Sequence, residues 1–215
     1  MSTSSTPEKN TKAHTSSKDR TPRGQMLPFT RDDVAIIRAK LSAKPSTRDL
    51  ALFETAISTL LRASDLVTLK VADVASANGD IADVATVKQK KTGALNVVPL
   101  TLAARSALAT HIAQHKLEPR AYLFTNASNS GIGQPLSTTA FRMLAKGWAD
   151  LAGYVDTKRF SGHSLRRTRA AIIYRETRDI VACARLLGHS STAHTEAYLG
   201  VGRDEALKVS KQFEI

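Results

Sequence analysis

Helical periodicity runs through most of this chain and is broken once. Between Val71 and Leu100 the pattern changes to short β-type runs, Val71 to Val74, Ile81 to Lys88 and Leu95 to Leu100. Asn78-Gly79-Asp80 and Lys91-Thr92-Gly93 separate them, and such clusters mark turns. The pattern predicts a three-stranded antiparallel sheet set into a mostly helical body, an α+β fold. Lys90 and Lys91 fall near the tip of the last hairpin. Lysines there commonly give solubility and edge protection. A hairpin tip is also an arm that can carry an ammonium into a groove, and spacing leaves both readings open.

The flanking segments carry helix signals. Thr30 with Asp32 and Asp33 reads as a helix start, followed by an apolar stripe of Val34, Ile36, Ile37 and Leu41. Ser46 and Asp49 resemble a capping box, and Leu50, Phe53, Ile57, Leu60 and Leu61 share one side of the next helix. That helix runs into Arg62 and then Ser64-Asp65, a second start signal. Arg62 is therefore expected at a helix junction, free to face a groove, with Asp65 close enough to orient it. Thr101 caps a helix to about Lys116 with Leu102, Leu108 and Ile112 inward. Tyr122-Leu123-Phe124 reads as a short buried strand or turn, and Asn126 to Pro135 as a loop. Ser137 opens a helix with Phe141, Leu144 and Trp148 inward. His111 and His115 lie one helical turn apart, but without a third ligand nearby they read as a helix face, not a metal site.

The densest chemistry lies between Gly162 and Val201. His163 and Arg166 stand at a helix start, where backbone N–H groups and the positive dipole end favour an anion. Thr177 reads as the cap of a further helix that closes at Gly188. His189 follows, and Tyr198 falls on a short helix begun by Thr192. Two histidines, a fixed cation and a phenol within one stretch suit attack on a phosphodiester by tyrosine. Cys183, the chain's one cysteine, sits among Ile180, Val181, Ala184 and Leu187 and reads as core. A single cysteine rules out an internal disulfide framework and fits a reducing compartment.

Composition agrees with a polyanionic partner. The 215 residues carry 31 Lys+Arg against 19 Asp+Glu, a net charge of +12. At 42% hydrophobic, the chain can bury a core of ordinary domain size. No apolar run approaches the roughly 18 residues that span a membrane, and no secretory leader is visible. The expected location is cytoplasmic. Residues 1 to about 27 are polar and basic, and too poor in apolar groups to offset the entropy of ordering. They are expected to form a disordered tail.

These pieces resemble, in order, the catalytic domain of the phage integrase family of tyrosine site-specific recombinases. The resemblance covers roughly Thr30 to Ile215. LLRASDLVTLKVADV matches the segment of the family's first catalytic arginine, here Arg62, with a supporting acid at Asp65. QKKTG matches its catalytic β-hairpin, with Lys91 at the lysine position and Lys90 beside it. HSLRRTRAA matches its His-x-x-Arg box, giving His163 and Arg166. LLGHSS gives His189, and EAYLGV gives the nucleophile Tyr198. Where the family box commonly has a histidine and then an aromatic, this chain has Arg167 and Arg169, which are expected to contact DNA. The family usually carries an N-terminal helical domain that clamps DNA. The expected organisation here is a tail over 1–27 and a catalytic domain over 28–215, without that clamp.

The resemblance implies a division of labour. Arg62 and Arg166 would fork onto the non-bridging oxygens and stabilise the charge of the transition state. His189 would donate to the phosphate, and His163 would take and return the Tyr198 proton. Lys91 would protonate the departing 5′ oxygen, and Asp65 would hold Arg62 or His163. Two arginines supply the charge that divalent ions supply in other nucleases, so no metal or other cofactor is implied. The implied partner is double-stranded DNA, held by a homo-tetramer on two duplexes. Without the clamp, the alternatives are a naturally short member, a truncated one, or one that needs an accessory DNA-binding protein. The competing readings are DNA binding on a recombinase fold without strand exchange, and type IB topoisomerase-like relaxation.

Overall fold

A computed structural model describes residues 25–76, 78–91, 93–126, 133–200 and 211. Most of the expected N-terminal tail, Thr92 and much of the loop before Pro135 lie outside the described residues.

Helix α1 (Arg31–Ser42) begins with a reciprocal cap. Thr30 Oγ1 accepts from Asp33 N, and Asp33 Oδ2 accepts from Thr30 N. It buries Val34, Ile37 and Leu41, while Ile36 falls off the stripe and is 40% exposed. Helix α2 (Thr47–Thr59) is the hub, packing on α1, on α4 (Leu102–His115), on α6 (Gly162–Thr177) and on β2 (Leu95–Pro99). A helix buried on nearly every side belongs at a domain centre. The expected Ser46 capping box does not form, because Asp49 accepts from the Arg48 guanidinium instead. The short α3 (Ala63–Leu66) follows directly, with Arg62 at its N-cap.

The sheet has two strands among the described residues, not three. β1 (Val84–Lys88) pairs antiparallel with β2, Val84 facing Pro99 and Lys88 facing Leu95. The first expected strand is a 3-10 turn over Val71–Asp73. Asp73 Oδ2 accepts from Lys70 N and bends the backbone locally, which competes with a ladder. Val71 N and Ala72 N bond instead to Ala121 O and Pro119 O, beside an isolated bridge between Lys70 and Tyr122.

Thr101 caps α4, but Leu102 in its first turn is 79% exposed rather than inward. His111 is buried, with Nδ1 on Thr47 Oγ1 and Nε2 on the Leu123 carbonyl, so both ring nitrogens serve packing. Among the described residues no group of three or more His, Cys, Asp or Glu could hold a metal. Helix α5 (Thr138–Leu151) packs Phe141 and Trp148 into the core, where Phe53 meets Trp148 edge-on at 5.2 Å. Phe29 stacks on Phe160 at 4.8 Å and closes that core from the N-terminal side.

The last three helices form one unit. Ser161 caps α6, Asp179 rather than Thr177 caps α7 (Ile180–Leu187), and Ser191 caps α8 (Thr192–Leu199). Thr177 instead ends α6. Cys183 is free and fully buried, its thiol on the Ala170 carbonyl. Residues 25 to 29 meet the folded body. Leu27 N bonds to Arg159 O, Phe29 N to Thr168 Oγ1, and Gln25 Nε2 to Ala197 O. No helix among the described residues is long and apolar enough to cross a membrane.

Candidate active site

The junction between α2 and α3 sets the floor. Leu60 follows the last turn of α2 with φ 52, a left-handed conformation that a buried branched residue adopts at a cost of about 1–3 kcal/mol. The twist turns its carbonyl to the Arg166 guanidinium, whose Nη1 donates to it at 2.5 Å. The Arg166 Nη2 donates to Leu187 O at the end of α7. Arg166, 5% exposed, is thus pinned between two main-chain carbonyls from elements far apart in sequence. Leu60, Ala170 and Leu187 form a small apolar cluster beneath it, with Tyr198 and Leu199 packed at its edge.

Arg62 enters from the other side. Its Nη1 donates to Gln89 Oε1 at 2.7 Å, so the turn end of the hairpin holds it. Asp65 was expected to grip Arg62 or His163, but its Oδ1 accepts from Lys90 N at 3.0 Å. The acid therefore fixes the hairpin against α3, and its buried Oδ2 has no hydrogen-bond partner. Lys90 and Lys91 are exposed on the tip of that hairpin, apart from the convergent cluster.

Tyr198 projects from α8 into the space between the arginines and histidines. Its hydroxyl donates to the His163 carbonyl at 3.3 Å and lies in hydrogen-bond reach of Arg166. The His189 ring stands edge-on to the phenol ring, centroids 5.5 Å apart. His189 Nδ1 is paired with Thr195 Oγ1 at 3.0 Å, and Thr195 is fully buried. This leaves the opposite ring nitrogen for another partner.

The electrostatics follow from burial beside two cations. Burial pushes the Tyr198 phenol up to about 12, against the downward pull of Arg166 and Arg167. His189 is lowered to about 4, first by burial and then by Arg166, Arg62 and His194. The sheltered ring of His163 is lowered by burial, with Arg166 and Arg62 adding, although the residue as a whole is exposed. Burial also lowers Arg166, with Arg62 adding, against Tyr198 and Asp65. Near neutral pH the site thus holds neutral imidazoles and a neutral phenol beside guanidiniums. An anion between Arg62 and Arg166 would be welcome there, and it would raise both histidines.

Two expected DNA contacts turn inward. Arg167 is 4% exposed, donates to Met26 O at 2.6 Å, and lies over the Tyr198 ring. Arg169 donates to the Ser58 carbonyl. Both stand on the inner side of α6, where packing and backbone carbonyls decide their roles. Sequence reasoning missed Gln89, Thr195, Gln25 and the Leu60 twist. Only Gly188 at φ 61 had announced a sharp turn in advance.

The model of the Phage integrase family matches residues 29–204. The tyrosine recombinase XerC of Herpetosiphon aurantiacus is 28% identical over 184 residues, covering 82% of this chain and 56% of its own length. The chain therefore spans little more than half of that relative. Among solved structures, XerA recombinase superposes with a TM-score of 0.67 at 23% identity, over 89% of this chain and 65% of that one. XerH site-specific recombinase, bound to its difH substrate, gives 0.66 at 17%, over 87% and 55%. At these identities the structural likeness speaks for the fold.

Proposed function

Because the chain belongs to the phage integrase family, we propose that it cuts and rejoins double-stranded DNA at a defined site through a 3′-phosphotyrosyl intermediate. The observation that carries this reading is the Tyr198 phenol in reach of Arg166, with His189 against its ring and the His163 carbonyl accepting from its hydroxyl.

The phosphate sits between Arg62 and Arg166, whose charges stabilise the extra negative charge of the pentavalent transition state. Tyr198 Oη attacks phosphorus. A phenol with so high a pKa gives up its proton only as the bond forms, and His163, neutral near pH 7, accepts it. The opposite ring nitrogen of His189, oriented by Thr195, donates to a non-bridging oxygen. The P–O5′ bond breaks, and Lys91 gives the departing oxygen its proton once the exposed hairpin tip closes on DNA. The new phosphotyrosine ester keeps the energy of the broken one. A 5′ hydroxyl from another strand therefore reverses the step without a nucleotide cofactor. Four copies across two duplexes would make the exchange.

The test is covalent capture of protein–DNA adducts from cells carrying the native locus, with sequencing of the trapped DNA and Tyr198→Phe as control. Adducts clustered at one site and absent in the variant are expected. Adducts scattered over the genome, with relaxation but no strand exchange, would point to a topoisomerase. Cutting that survives Tyr198→Phe would overturn the nucleophile.

A further inference from the structure

Helix α8 has eight residues and buries only Thr195. A helix this short has little stability of its own, so the position of Tyr198 depends on what grips α8 from outside. Helices α6 and α7 supply part of that grip. The cluster that includes Leu60 adds an apolar contact to Tyr198 and Leu199, and a further hold comes from the segment before Leu27. Gln25 Nε2 donates to Ala197 O at 2.9 Å, the carbonyl just before Tyr198. The Arg167 guanidinium lies 5.3 Å from the centroid of the Tyr198 ring. That guanidinium is itself braced at 2.6 Å on Met26 O, the residue next to Gln25. Leu27 N on Arg159 O and Phe29 N on Thr168 Oγ1 anchor the segment to the body. One short stretch therefore holds both the backbone beside Tyr198 and the cation on its ring.

We propose that Gln25 and Arg167 are positioning residues for Tyr198, and that the segment carrying Gln25 and Met26 is a strap that sets the phenol's attack geometry. This rests on Tyr198 being the nucleophile. The cation faces the electron-rich side of the ring, which favours one ring plane over others. It also draws the phenol pKa downward, in the direction attack requires. Arg167 lies over the Tyr198 ring and is braced on Met26 O, so its loss should be felt in the chemical step more than in DNA affinity.

The experiment uses the full chain, a nicked duplex bearing the site mapped by adduct capture, and tyrosine labelled with 13C in the ring. The variants are Gln25→Ala, Arg167→Met and Arg167→Lys. At saturating DNA, adduct formation should slow by about tenfold in Gln25→Ala and up to about a hundredfold in Arg167→Met, the range of a small misplacement. The half-saturating DNA concentration should stay within about twofold. Arg167→Lys, which keeps charge but not the planar fork, should fall between wild type and Arg167→Met. Without DNA, the Tyr198 ring resonance, assigned by its loss in Tyr198→Phe, should shift in all three variants. Weakened DNA affinity with an unchanged rate at saturation would make Arg167 a DNA contact and overturn the proposal. An unmoved Tyr198 resonance in Gln25→Ala, whose exposed bond spares folding, would overturn the strap. The resonance needs no DNA, so it separates failure of the strap from failure of the nucleophile assignment.

Discussion

Arg166 shows at a single residue why two kinds of cation are not interchangeable. Two of its N–H groups are spent on Leu60 O and Leu187 O, and what remains of the fork faces the phenol. A lysine keeps one charge but cannot hold both carbonyls and a phosphate in one geometry. Arg166→Lys should slow adduct formation by about 10²–10³-fold, the range seen when a transition-state donor is lost, measured in single turnover on nicked DNA. A rate within about threefold of wild type would remove Arg166 from the chemistry. His189 yields a second expectation. With its pKa at about 4, its ring should stay neutral in the free protein at pH 5.5 and titrate upward when DNA phosphate is bound. Imidazole NMR shifts read this directly, and a free-state midpoint near 6.5 would contradict it.

At the scale of elements, the hairpin and the α2–α3 junction act as one device. Asp65 ties Lys90 N to α3, and Gln89 ties the turn end of the hairpin to Arg62. Asp65→Ala should free the Lys90 amide for faster hydrogen exchange and cost about 1 kcal/mol by urea unfolding. Unchanged exchange at Lys90 would show the tie to be idle. Gly188→Ala should cost a similar amount. Its φ of 61 disfavours a side chain, and an added Cβ would sit 3.0 Å from Gln89 Nε2. Sequence periodicity and caps placed nearly every helix, because an apolar stripe and a Ser or Thr start are local signals. The Val71 run misled because Asp73 bends its own backbone, an outcome that composition alone does not reveal. The side chains that meet in the candidate site were legible through their motifs. Their holders were not, since Leu60 and Gln89 act through distant pairings and Thr195 through a side-chain bond that no local pattern records. Nor did any local pattern show that Arg167 and Arg169 reach the main-chain carbonyls of Met26 and Ser58.

For the whole molecule, three lowered histidines, His111, His163 and His189, couple folding to pH. Their folded-state pKa values lie below the unfolded value of 6.5, so their contribution is fully present above that pH. It declines as pH falls from 6.5 toward 4, where the folded state must take up protons it resists. Thermal unfolding followed across that window should show the loss, and His189→Gln should lessen it. A pH-independent melting curve in the wild type would refute the assignment. The net charge of +12 adds an expectation for the intact chain on DNA, a steep fall of affinity with salt. Titrations at several salt concentrations check it, and a flat response would speak against phosphate contacts. The clasp of Arg166 by two main-chain carbonyls also bears on how such a site changes over time. Every amino acid brings a carbonyl, so positions 60 and 187 can exchange one apolar side chain for another without unmaking the grip. Insertion or loss of one residue in either connection would rotate the carbonyl away. The lineage of this site should therefore tolerate substitutions at its anchors while holding the lengths of those connections fixed.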